Sequence, residues 1–320
     1  MKRLDRRTVT LALAGGIAGF TVLPGFGRET KPAQGGIGGT GIVGTVTDFG
    51  SVVINGLSVA VDDATAITSA LGPLGEADLA IGQSLTVEAS GTTDALVARR
   101  IHVTHPVIGM VRRARLNPNR LRVAGVRVRL EAGVQGDVED GAFVAVSGLW
   151  DGDRVVASRI EPIQSTGISV IAGALSPDRG TGDPAIGNQR LIVTQGLELP
   201  AMGTFATVLG RPSDDGFQVT EIRPGRFVGA AGPLERLSVE GYLDPTGAAP
   251  FFEVSGLGHS FDAAASLRPF RNDRTLFEGA YVGTFAVETG IILPENQEAR
   301  RRLLRDLLGG GAGTSRMPAR

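Results

Sequence analysis

The chain has 320 residues, a formal net charge of -1 and no cysteine. These exclude disulfides, thiolate metal sites, iron–sulfur clusters, cysteine nucleophiles, a lipidated-cysteine anchor and a polyelectrolyte character of the whole chain. Hydrophobic residues make up 42%, enough for a core and too many for wholesale disorder. Glycine, at 47 residues, is about twice as common as usual and announces a turn-rich chain.

Residues 1–30 read as a signal segment. Lys2, Arg3, Arg6 and Arg7 form a positive start broken by Asp5, and Val9 to Val22 is apolar but softened by Gly15, Gly16 and Gly19. A basic flank before a short apolar stretch is a secretory pattern, too short to be a good membrane span. Arg6-Arg7 followed by Thr8-Val9 fits the twin-arginine export pattern loosely, the departures being Asp5 and the lack of a clean A-x-A cleavage site. The expected address is periplasmic or otherwise exported, with an uncleaved N-terminal anchor as the alternative. No 18-residue apolar run follows, so no transmembrane span is expected after signal removal.

Residues 31–41 read as a Gly-rich leader. Gly36 to Gly41 spells G-x-G-x-x-G, but a dinucleotide site needs a strand before it and a helix after it. Here a signal tail precedes and a strand pattern follows, so the motif is read as a flexible leader.

One unit then recurs four times, its first glycines (Gly44, Gly109, Gly173, Gly241) lying 64 to 68 residues apart. A turn follows, at Asp48, Asn117, Pro177 and Asp244, and then a strand broken by a second glycine: Gly56, Gly125, Gly196, Gly256. A third glycine opens another strand: Gly82, Gly141, Gly203, Gly283. LVARRIHV, VVASRIEP and FQVTEIRP close the first three copies; the fourth lacks that strand. Val126, Val128 and Leu130 alternate with Arg127 and Arg129, a period of two that marks a strand.

The expected fold is all-β: tandem small five-stranded OB-like barrels or bent sheets packed end to end. The units are placed at 42–104, 105–162, 163–225 and 226–293. Segment 66–80 interrupts the first with a helix or loop. Pro294 opens a C-terminal helix over 294–308, with Leu303, Leu304, Leu307 and Leu308 on one stripe, and 309–320 reads as a disordered tail.

The stretch GGIGGTGIVGTVTDFGSVVINGLSV, residues 35–59, resembles the bacterial domain-of-unknown-function family 5666. The likeness is closest over 35–104, recognisable in the second copy and limited to the Gly-strand frame in the third and fourth. It implies tandem units and an envelope address. It implies no activity and supplies no catalytic residue.

Few residues offer chemistry. His102 and His105 have no third ligand of matching spacing, and His259 beside Ser260 and Asp262 has no G-x-S-x-G elbow to join. All three read as structural, and no metal or cofactor is expected. Asp62-Asp63, Asp151-Gly152-Asp153 and Asp214-Asp215 read as turns.

Charge is the sharper signal. Arg112, Arg113, Arg115, Arg120, Arg122, Arg127 and Arg129 fall within eighteen residues that hold no acid, whereas the first copy holds seven acids. Most of these arginines share one strand face. They read first as a solvated outer face or as contacts to the acid-rich neighbouring copy, and otherwise as an anion-binding face over Arg113, Arg115, Arg120, Arg122, Arg127 and Arg129. Residues 105–129 contain no aromatic for base stacking, which disfavours nucleic acid.

The functional expectation is an exported, non-enzymatic binding or scaffolding protein of the envelope. Its partner would be an envelope protein or an anionic glycan. The alternative is a carbohydrate-active or other hydrolase using loop carboxylates, which a buried acid pair facing a cleft would favour.

Overall fold

The computed structural model describes residues 38–113, 120–134, 138–245, 252–254, 270, 272–283 and 285–309. The first unit contains β1 (Gly39–Asp48), β2 (Val52–Ile54), β3 (Leu57–Ala60), β4 (Ala66–Ser69), β5 (Gly72–Pro73), β6 (Ser84–Thr92) and β7 (Ala95–Val103). β1 pairs with β2 and β6, β2 with β3, β3 in parallel with β7, and β7 with β6. That circuit is a closed five-stranded barrel. Alternation fills it: Ile42, Val46, Val52, Ile54, Leu85, Val87 and Ile101 are all buried inside.

The second unit repeats the circuit with β8 (Val107–Arg113), β9 (Arg120–Val123), β10 (Val126–Leu130), β11 (Phe143–Asp151) and β12 (Arg154–Pro162). The third does so with β13 (Ser169–Pro177), β14 (Pro184–Ile186), β15 (Gln189–Val193), β16 (Phe205–Ser213) and β17 (Gly216–Pro224). The fourth contributes β18 (Leu234–Gly241), β19 (Leu243–Pro245), β20 (Phe252–Val254), β21 (Thr275–Tyr281) and β22 (Phe285–Ile292), followed by α1 (Gln297–Gly309).

The first glycine of each barrel has a steric cause. A Cβ on Gly109 would sit 2.7 Å from the Cβ of Ala124, in the turn joining β9 to β10. In the first barrel a Cβ on Gly44 would overlap the Asn55 side chain at the same turn. A small barrel closes only if its second hairpin folds tightly over the first strand, and glycine permits that approach.

Several expectations need correction. Gly56 and Gly125 hold the second position of equivalent two-residue hairpin turns at φ +78° and +87°; in the third barrel that position is Asn188, and the turn glycine, Gly187 (φ +57°), stands where Asn55 (φ +55°) and Ala124 (φ +46°) stand in the first two. Gly196 lies beyond β15 instead, because the segment read as second strand is the third. Gly256 lies outside the described residues. The fourth copy does not lack a closing strand: β21 pairs with β18 as a fourth strand should, so β22, read as the fourth, is the fifth. The bulge confirms the alignment. A register shift falls at Gly148, Gly210 and Gly279 in the fourth strands of units two to four.

β1 begins at Gly39, inside the stretch read as a leader; the rest of that stretch up to 37, with Arg6 and Arg7, lies outside the described residues. Segment 66–80 holds the β4–β5 hairpin and a turn of 3-10 helix. Pro294 does not open α1. Asn296 caps it, its Oδ1 accepting from the Ala299 N–H at 3.0 Å.

The units are not stacked end to end. β18 pairs in parallel with β1, so the last unit extends the sheet of the first, while β8 pairs with β13 and joins the second to the third. The sole tryptophan plugs that second junction. Trp150, at the end of β11, donates from Nε1 to the Ala172 carbonyl at 2.7 Å, and its ring fills the space left by Gly173 and Gly187 of the third barrel.

Four charges lie at the centre of the fold. Arg274 and Arg300 face Glu131 and Glu240, all four side chains almost wholly buried. Arg274 Nε donates to Glu240 at 2.8 Å and Nη2 to Thr45 Oγ1 at 2.8 Å. Arg300 Nη2 donates to Glu131 at 2.8 Å, and Arg274 Nη1 also donates to Glu131. Burial alone would raise the Glu240 pKa, yet the two guanidiniums hold it below the usual carboxylate value.

Replacing Trp150 by Ala should cost about 3–5 kcal/mol, the range for deleting a buried aromatic ring. Thermal unfolding followed by circular dichroism checks this, and a shift of the midpoint by less than a degree would show that the second and third barrels do not depend on the plug.

Candidate functional site

Cross-strand register decides where the arginines go. Arg112 on β8 is opposite Arg122 on β9, Arg122 is opposite Arg127 on β10, and Arg127 lies beside Arg154 on β12. Their inward neighbours Leu121, Val123, Val126 and Val128 are buried in the barrel, so the arginines point out. Four adjacent strands therefore carry one unbroken row of guanidinium groups. Arg129 and Arg120 form a second, shorter row two residues along.

A groove of about 450 Å³ opens over these rows, lined by Arg112, Arg113, Arg120, Arg122, Arg127, Arg129 and Arg154 together with Asp153. Arg113 stands off the row, opposite Leu121, and Arg115 lies outside the described residues. Arg154 was not legible as a member. It belongs to the Asp151-Gly152-Asp153 hairpin, and only the parallel pairing of β10 with β12 brings it alongside Arg127.

Among the described residues the row arginines form no ion pair with the acid-rich first copy. Arg127 pairs with Asp153 at 2.5 Å and Arg112 with Asp140 at 3.8 Å, both acids of its own unit. Arg154 holds Asp151 at 2.6 Å, and Arg129 reaches Glu295 ahead of α1 at 3.3 Å. Two acids of the first copy are used elsewhere: Asp48 by Arg301 and Arg305 of α1, Glu88 by Arg100 and the backbone N–H groups of Val228 and Ala230. The Arg305 and Arg301 guanidiniums and the Phe49 N–H hold Asp48 down to about 2.

Among the described residues Arg122 donates to the Gly125 carbonyl, at 3.2 Å, and neither Arg122 nor Arg120 has an ion-pair partner. Among the described residues the groove thus carries more positive charge than its acids neutralise. Like charges directly opposite each other destabilise a sheet. The barrel does not require them. At the matching positions of the first unit, β2 and β3 present Val53, Ser58 and Ala60 outward.

The other candidates lie away from the groove where they are described. His102 on β7 has Nδ1 2.9 Å from Thr68 Oγ1; burial, aided by the Arg100 charge, pushes it down to about 3. Burial likewise holds His105 at about 4, so both are neutral at pH 7. His259 lies outside the described residues. Asp62 braces its turn by accepting from Ala64 N–H at 3.0 Å, and Asp214-Asp215 joins β16 to β17. Among the described residues no group of three or more metal-binding side chains gathers. No helix there is long and apolar enough to cross a membrane.

A second pair of acids, apart from Glu131 and Glu240, is half-buried. Asp244 and Glu253 are direct partners across the β19–β20 hairpin, pushed up by burial to about 6 and about 8. Asp244 accepts from the Gly152 N–H at 3.0 Å. Neither lines the groove, whose lining is mostly arginine, so the pair does not supply the cleft-facing acids that a hydrolase reading asks for.

Two stretches, residues 40–102 and 109–161, match the family described as Domain of unknown function (DUF5666). They coincide with the first and second barrels. No curated protein and no solved structure matches the chain.

Proposed function

We propose that this protein, whose first two barrels are DUF5666 domains, is an exported, non-enzymatic module that binds anionic ligands on the outer face of its second barrel. The observation that carries the reading is the unbroken row Arg112, Arg122, Arg127, Arg154, present on one barrel of a repeat and absent from its neighbour. A repeated unit that keeps an unfavourable charge row on a single copy keeps it for a ligand rather than for the fold. Fold-level analogy agrees: the OB barrel binds oligonucleotides and oligosaccharides on its second and third strands and the flanking loops, and β9 and β10 are those strands here. The groove lining has no aromatic among the described residues, which favours an anionic glycan over nucleic acid. Arginine forks match carboxylate and sulfate groups.

Export rests on the basic start with Arg6 and Arg7 before a glycine-softened apolar segment. A glycan of the envelope or the medium is then within reach, and the signal segment and the groove support one address.

Binding is tested by titrating the wild type and Arg122→Thr against polygalacturonate and dextran sulfate at low and high salt. The wild type should bind at low salt and release as ionic strength rises. Arg122→Thr should bind at least fivefold more weakly and melt about 1–3 °C higher, because two like-charge contacts disappear. Equal binding by the two proteins would remove the groove from the reading.

Export is tested by fractionating cells that express the Arg6→Lys/Arg7→Lys variant. Retention in the cytoplasm is expected. Unchanged periplasmic accumulation would remove the twin-arginine assignment.

A further inference from the structure

The anion-binding reading leaves open what shape of anion the groove takes, and the row itself bears on that. Its four arginines come from four adjacent strands, β9 and its neighbours, so their Cα atoms repeat at the inter-strand spacing of about 4.8 Å. Side chains that point outward from a barrel diverge, so the guanidinium groups stand at that spacing or slightly wider. From Arg112 to Arg154 the row spans about 14 Å across the strands. A single sulfate or phosphate touches one or two members. Only an extended ligand with one anionic group per step engages all four.

The geometry points to a linear acidic glycan with one carboxylate per sugar ring, lying across β8, β9, β10 and β12 with successive carboxylates on Arg112, Arg122, Arg127 and Arg154. The proposal rests on the anion-binding reading and adds the ligand's shape, direction and charge register. A polyuronate has the required chemistry: its charges are regular, all of one kind, and spaced by one ring. Each carboxylate can take two N–H donors from one guanidinium fork. Arg120 and Arg129 flank the track on one side. Asp153 and Asp151, which hold Arg127 and Arg154 in the free protein, give way to the ligand's own carboxylates. Leu121 and Val128 border the groove but turn their side chains into the barrel core, so binding depends on charge and spacing more than on ring stacking.

The test is a length series. Galacturonate and its oligomers of two to eight units are titrated calorimetrically into the full chain at low salt, with oligothymidylates of the same charge counts alongside. Affinity should rise with each added unit up to four and then level off. In Arg112→Gln the plateau should move to three units, while Arg302→Gln on α1, outside the groove, should leave the series unchanged. Several results would overturn the proposal. If galacturonate binds as tightly as the tetramer, the groove is a single-anion site; the anion-binding reading survives and the register does not. Affinity that climbs steadily through eight units indicates diffuse attraction, with the same consequence. Tighter binding of the oligothymidylates makes the ligand a nucleic acid and removes the glycan. Failure of every anion to bind removes both this proposal and the reading beneath it.

Discussion

The fold depends on four charges placed where no water reaches them. Glu131 follows β10 of the second barrel, Glu240 lies on β18, Arg274 precedes β21, and Arg300 is on α1. Thr45 of β1 completes the group: its N–H donates to Glu240 at 2.8 Å and its hydroxyl accepts from Arg274 at 2.8 Å. Three units and the helix therefore meet at one electroneutral knot. Desolvating a charge costs several kcal/mol, and only a complete set of partners offsets it. A partly assembled knot is worse than none, so the units are driven to close together or not at all. The knot adds to the parallel β1–β18 pairing that holds the last unit, which forms no five-strand ring among its described strands, against the first.

Around that knot the repeat solves one problem several times. Each barrel must bring a short hairpin over its first strand and bend its fourth strand sharply. Gly44 and Gly109 permit the first, and Gly148, Gly210 and Gly279 mark the second. Junctions between barrels are individual by comparison. Trp150 fills one of them; in another Arg226, its pKa lowered by burial to about 9, lies 4.0 Å over the Phe205 ring and donates to Thr86 of the first barrel. The repeated frame is generic, and the junctions and the outer face of β9 and β10 are where this chain spends its specific residues.

Period-two alternation and turn glycines made the strands legible, because both follow from the local backbone. Gly82, Gly141 and Gly203 take φ of +88°, +87° and +85° at the entry to the fourth strand, as their shared spacing implied. The misreadings arose where local signals were ambiguous. RLIVTQGLELP contains a glycine at the expected offset, but the hairpin turn is at Gly187, hidden in a longer Gly- and Pro-rich loop. Arg122, Arg127 and Arg129 were legible as one face from alternation alone. Arg154 and the row it completes were not, because a parallel pairing between strands far apart in sequence leaves no local trace. The buried arginines gave no warning either: Arg300 sits among Arg301, Arg302 and Arg305, and only the packing of α1 sends one of them inward.

The knot is tested most directly by equilibrium denaturation of Glu131→Gln, a substitution of nearly the same shape that removes one charge and leaves both arginines buried. Glu131 contacts Arg274 and Arg300, so the variant should lose about 3–5 kcal/mol of stability. A variant within about 0.5 kcal/mol of the wild type, below the usual cost of a lost hydrogen bond, would show that the units close without the buried charges.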